Sequence, residues 1–243
     1  MNGMTRASSP SPTIERLAHG LLQRGPTDPM EEELVGWLSG STRFRAFVET
    51  HRDKVRKKLR SAADTDALLD VRAELQAARL LLGDRRVELA FEAYGSGKLG
   101  PDFTVTFRGG RRFNLEVTRP RRVPSATGYA APLLAKLRQL PPSVPNVVLL
   151  AIPGDTAEAL DVDAMTRALR SRADAKDDAY FLERGFEGSR GFYERYLRLS
   201  AVLVWCEGAT ADARASLWIN RSARIAMPEP AARACLRCLR VEP

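Results

Sequence analysis

The chain has 243 residues, 44% of them hydrophobic and 28% charged, with a formal net charge of +8 and a pI of about 9.8. This length and apolar content support one large domain, or one domain with a helical extension, and exclude wholesale disorder. The longest apolar runs, residues 147–152 and 201–206, fall far short of the ~20 residues that span a bilayer, so no membrane segment is expected.

Residues 1–13 are polar and rich in Ser and Pro with no apolar stretch, which predicts a disordered tail, no secretory leader and a cytoplasmic location. Three cysteines are too few for a disulfide scaffold, and Cys235 and Cys238 form a single C-x-x-C with no second pair. With only His19 and His51 available, zinc sites and Ser-His-Asp catalysis have almost nothing to draw on. The basic balance favours an anionic partner, nucleic acid foremost. Arginine outnumbers lysine 32 to 6, so each lysine position is the more informative.

Along the chain, Asp28 and Pro29 followed by Glu31, Glu32 and Glu33 mark a helix start: a capping carboxylate, proline in the first turn, and acids at the positive dipole end. A second helix is expected over residues 42–60, apolar at Phe44, Phe47, Val48, Val55 and Leu59; its other face carries eight basic residues against two acidic ones. A third, over residues 66–82, has Leu68, Val71, Leu75, Ala78 and Leu82 in register and stops at Gly83. Glu74 lies at the rim of that stripe, about 80° from its centre at about 100° per residue.

From residue 87 the apolar period changes from 3.6 to 2. Three strands are expected, each with an apolar and a polar face: one through Val87, Leu89 and Phe91, one through Phe103, Val105 and Phe107, and one through Phe113, Leu115 and Val117. The last two form a hairpin. Apolar residues must face apolar ones, so Phe107 is expected opposite Phe113, with an odd-length loop such as Gly109, Gly110 and Arg111. That register makes Asp102 and Glu116 diagonal neighbours on one face, roughly 7–8 Å apart, close enough to share a metal ion. Downstream come a helix over residues 130–140, a buried strand over 146–152, a helix over 155–172, a charged aromatic stretch over 173–200, buried strands over 201–206 and 217–225, and a helix after Pro228. The order predicts an α/β fold with a mixed central sheet flanked by helices.

The sequence Gly95-Ser-Gly97-Lys98-Leu-Gly100 matches G-x-G-x-x-G, but Pro101 and a strand follow where a dinucleotide loop would open a helix; a mobile loop beside Asp102 fits better. His51-Arg52-Asp53 lacks the downstream residues of a kinase catalytic loop.

Glu74 on a helix, Gly100-Pro101-Asp102 opening a strand, and Asn114-Leu-Glu116-Val-Thr118 on the next strand resemble the PD-(D/E)XK nuclease superfamily over roughly residues 66–206. The resemblance implies a restriction-endonuclease-like core at residues 62–243 behind a helical extension at residues 14–61. It further implies Mg²⁺ or Mn²⁺ held by Asp102 and Glu116, with Glu74 as an outer ligand, and hydrolysis of DNA or RNA. One departure stands out: the family's lysine, two residues after the second acid, is Thr118 here, which cannot supply positive charge. Lys136, on the helix after the hairpin, is the first candidate to replace it, with Gln139 orienting substrate or water; Lys98 is the second, and Arg119 a weaker one. Arg108, Arg111, Arg112, Arg119 and Arg121 would contact the phosphate backbone, and Asn220 and Arg224 would close the edge of the site or simply pack. The alternative is a degenerate nuclease fold that binds nucleic acid or a protein partner without cutting; a homodimer is compatible with either.

Overall fold

In the computed structural model, the described residues are 11–22, 28–94, 100–108, 110–120, 129–153, 160–207 and 214–240. The chain divides into two compact units, residues 1–72 and 73–243.

The first unit is helical: α1 (Pro12–Leu22), α2 (Pro29–Gly40), α3 (Thr42–Thr50), α4 (Arg52–Ser61) and the first half of α5 (Thr65–Leu82). Pro12 and Thr13, expected in the tail, begin α1. Asp28 caps α2 as its sequence requires, its carboxylate accepting from the Met30 N–H at 2.9 Å. Ile14, Ala18, Leu34, Phe44, Val55 and Leu59 form part of the buried core. The single helix expected over residues 42–60 is instead two, broken at His51. There φ is −106° and ψ 21°, the Thr50 hydroxyl bonds back to the Ala46 carbonyl, and the imidazole packs on Phe47 at 4.9 Å. Arg72 grips Glu33 with two hydrogen bonds of 2.6 Å.

The second unit carries a six-stranded mixed sheet in chain order: β1 (Val87–Phe91), β2 (Phe103–Phe107), β3 (Arg111–Thr118), β4 (Asn146–Pro153), β5 (Leu199–Glu207) and β6 (Ala215–Ile219). The first three strands are an antiparallel meander; β3, β4 and β5 run parallel; β6 returns antiparallel. Parallel neighbours need crossovers. These are α6 (Ala130–Leu137) between β3 and β4, and α7 (Val162–Asp174), α8 (Asp178–Leu182) and α9 (Gly188–Tyr196) between β4 and β5; α10 (Glu229–Arg240) follows β6. One face of the sheet, through Val148, Leu150, Val202 and Val204, shares a core with Leu133 and Leu137 of α6, Leu169 of α7 and Phe192 of α9. Elsewhere in this unit α10 packs beside β6 and meets α5 where Cys238 Sγ approaches the Leu81 carbonyl.

Several boundaries differ from those expected. The helix after β4 starts at Val162 behind the capping Asp161, whose carboxylate accepts from the Ala164 N–H; the expected start, Asp155, lies outside the described residues. The charged aromatic stretch folds as α8 and α9, joined through Phe181 and Phe192, stacked at 4.5 Å. The last strand starts at Ala215 and stops at Ile219, because the Asn220 side chain turns inward to bond the Tyr196 and Leu199 carbonyls.

The hairpin register also differs. Val105, not Phe107, faces Phe113, and Phe107 faces Arg111, a slide of two residues. A slide of two keeps every side chain on its face, so the alternation alone could not choose between Phe113 and Arg111 as the partner of Phe107. Turn geometry decides: Arg108 at φ 46° and Gly110 at φ 155° reverse the chain over three residues.

Candidate active site

The shortened loop brings the two acids closer than diagonal neighbours. Continued one step past Phe103↔Leu115, the register sets Asp102 directly opposite Glu116. Pro101 is buried and Gly100 lies so close to Tyr94 that a Cβ there would sit 2.8 Å from the tyrosine Cβ, which fixes the chain as it approaches β2. The Asp102 carbonyl accepts from the Glu92 N–H on the β1 side at 2.8 Å. Towards β3, the Asp102 N–H donates to Glu116 Oε2 at 3.2 Å and the Val117 N–H donates to Asp102 Oδ2 at 2.9 Å. Each carboxylate is thus tied to the backbone of the facing segment, Glu116 to Asp102 and Asp102 to Val117.

Glu116 is only 2% exposed. The polar face of β3 is buried at Asn114 and Glu116, where α6 lies against the strand. Leu133, Leu134 and Leu137 bury the inner side of α6, and Lys136 at its last turn points back to the strand, where Nζ donates to Glu116 Oε1. Thr118 lies two residues beyond Glu116 on the same strand face, half-buried beside Leu150 in the register.

Burial pushes the Glu116 carboxyl up to about 7, reinforced by the Asp102 charge and opposed by Lys136. Burial draws the Lys136 ammonium down, but the charges of Glu116, Asp102 and Glu74 outweigh it and hold the group above its ordinary value. Glu74, half-buried on α5, therefore joins the electrostatics of the same cluster. Two carboxylates and a third nearby, against one ammonium, leave the cluster with surplus negative charge.

Beneath it runs a polar network that pattern reading missed. Asn114, fully buried and two residues before Glu116, donates to Asn146 Oδ1 at 2.9 Å and accepts from the Thr104 hydroxyl at 3.2 Å; Tyr94 OH lies within 3.4 Å. The available signal was an asparagine at equivalent positions of two adjoining strands, Asn114 paired with Asn146.

The arginines are placed elsewhere. Arg108, Arg111 and Arg112 are exposed at the hairpin's turn, the opposite end of β2 from Asp102. Arg119 is half-buried just beyond β3. Gln139 follows α6, half-buried, its N–H donating to the Lys136 carbonyl. Asn220, buried just after β6, packs by bonding the Tyr196 and Leu199 carbonyls, while Arg224 is exposed and its backbone N–H bonds the Leu197 carbonyl. Lys98 and Arg121 lie outside the described residues.

Among the described residues, no group of three or more His, Cys, Asp or Glu side chains is arranged to hold a metal ion, and no helix is long and apolar enough to cross a membrane. The pair Asp102 and Glu116 nevertheless fits Mg²⁺, which takes one or two protein carboxylates and completes its shell with water and substrate phosphate. Their surplus charge is what a cation would neutralise. Comparison with protein-family models, with curated proteins and with solved structures gives no match.

Proposed function

We propose that the chain is a divalent-metal-dependent nuclease of restriction-endonuclease-like fold, hydrolysing phosphodiester bonds of DNA, or of RNA. The observation that carries this reading is the meeting of Asp102, Glu116 and Lys136 at one end of β2 and β3. An acid pair beside an ammonium is the set of charges such chemistry needs, and the helix supplies the lysine that Thr118 does not. The element order, a helix, a three-strand meander, a crossover helix and a parallel strand, supports the same reading.

Asp102 and Glu116 would hold the Mg²⁺, with Glu74 adding charge through water. The ion, when bound, polarises the scissile phosphoryl group and lowers the pKa of a water. Lys136 remains protonated at neutral pH, since its carboxylate partners hold its pKa up, so it acts as a charge stabiliser and not as a base. One of its three protons is committed to Glu116, leaving two to direct at the attacking oxygen or the phosphate. The Asn114–Asn146 network keeps β3 from shifting beneath that pair.

Thr118 favours a second reading, a fold that grips nucleic acid without cutting it. Cleavage of labelled single- and double-stranded DNA and RNA in Mg²⁺, Mn²⁺ or EDTA separates the two. Metal-dependent cutting is expected, reduced about 100-fold or more in Asp102→Asn, Glu116→Gln and Lys136→Ala, the size of losing one electrostatic stabiliser. Cutting that survives in the acid variants sinks the assignment, and binding without cutting under every condition establishes the second reading.

A further inference from the structure

At the far end of the hairpin from the acid pair, a cleft of about 320 Å³ is lined by Arg86, Arg108, Arg233, Arg237, Glu229 and Pro230. Its four guanidiniums come from three places: the approach to β1, the hairpin turn and the outer face of α10. Residues this distant in sequence share a cleft only because the fold gathers them.

Arg86 is held rigidly. Arg86 donates Nε and Nη2 to Asp84, at 2.9 and 2.5 Å, and its guanidinium lies 5.2 Å from the centre of the buried Phe107 ring. The exposed Arg108 places its guanidinium 5.7 Å from the centre of the same ring, while its backbone N–H donates to the Arg86 carbonyl. Arg86 spends its Nε–Nη2 edge on Asp84 and Arg233 pairs with Glu229, so the exposed guanidiniums of Arg108 and Arg237 are the planar forks that match a phosphate edge. Glu229 on the cleft wall pairs with Arg233, and Asp84 stands behind Arg86, so two carboxylates oppose four cations. The surplus is two positive charges.

We infer that this cleft is a phosphate-binding exosite, which grips the backbone of the nucleic acid at a distance from the acid pair; it rests on the nucleic-acid reading above. Arg108 lies six positions beyond Asp102, about 20 Å of extended chain. At about 3.4 Å per phosphate along one strand of a duplex, that distance corresponds to roughly six nucleotides. A substrate long enough to reach both ends is held at both; a dinucleotide meets only the acids.

The test uses the full chain in EDTA, so that binding is read without cleavage, with fluorescence anisotropy of a long labelled oligonucleotide across a salt series. The variants are Arg108→Ser and Arg237→Ser, singly and together, since both side chains are exposed; Arg190→Ser on α9 is the control. The double variant should bind the long oligonucleotide about tenfold more weakly, with the log–log salt slope reduced by about two, roughly 0.9 per lost contact. The pair Arg108→Lys and Arg237→Lys, which keeps the charges, should retain the slope and guards against a folding defect.

Unchanged affinity and slope in the double variant would overturn the exosite, as would an equal loss in Arg190→Ser. If inorganic phosphate raises the melting temperature through these arginines while oligonucleotide affinity ignores them, the cleft takes free phosphate and the exosite is wrong. Competition by poly-glutamate as strong as that of the oligonucleotide would mark an acidic protein partner instead. Failure of cleavage leaves the EDTA binding result standing, whereas intact cleavage with no cleft effect removes the exosite alone.

Discussion

Glu116 is an acid with almost no water around it and a second carboxylate beside it. Its folded pKa of about 7 lies above the ordinary 4.5, so between those values the folded chain keeps a proton that the unfolded chain releases. Its contribution to stability is therefore fully present at acidic pH and is lost as pH rises through about 7. Thermal denaturation across this range should show the wild type losing stability with rising pH, and Glu116→Gln should flatten that limb. Equal slopes for the two proteins would mean that the burial of Glu116 costs nothing. Added Mg²⁺ should raise the wild-type melting temperature more on the alkaline side, where the carboxylate is ionised, and do little for the variant.

At the scale of elements, Asn146 joins three pieces of the second unit. Its Nδ2 reaches the carbonyls of Pro141, Val144 and Arg198, its Oδ1 accepts from Asn114, and its backbone N–H donates to the Ser200 hydroxyl. The start of β4 is thereby tied to the loop after α6, to β3 and to the start of β5. Asn146→Ala leaves buried carbonyls and the Asn114 amide unsatisfied, and should cost about 3 kcal/mol in chemical denaturation. A loss below about 0.5 kcal/mol, the scale of an ordinary surface substitution, would show that water replaces the side chain without penalty. The same substitution should slow cleavage as well, because Asn114 underlies Glu116 on one strand.

For the whole molecule, stability is concentrated where the sheet is paired and covered on both sides. Every residue of β4 before Pro153 is buried, as is every residue of β5 before Glu207, and each strand has a neighbour on both edges. Among the described residues, the terminal strands β1 and β6 are paired on one edge only and carry exposed residues. Hydrogen exchange should accordingly be slowest in the amides of β4 and β5 and faster by orders of magnitude in β1 and β6. Comparable protection across all six strands would show that the sheet opens only by global unfolding.

The sequence by itself determined whatever rests on local periodicity or local chemistry. Alternation identified β2 and β3 and assigned Asp102 and Glu116 to one face; unbroken apolar runs marked β4 and β5 as buried; Asp28 and Pro29 located the start of α2. Tertiary structure decided what lies between elements. The hairpin slid by two residues because both registers satisfy the same alternation, and only the turn at Arg108 and Gly110 distinguishes them. The break at His51 came from a hydroxyl bond and a ring contact, to which a helical stripe is blind. Lys136 was legible as a candidate, but its contact with Glu116 depends on how α6 crosses β3. Arg108 and Arg237 line one cleft although more than a hundred residues separate them. A pattern of side chains fixes the face on which each residue stands, whereas distances between faces follow from turns and crossings that cooperate only when the chain packs.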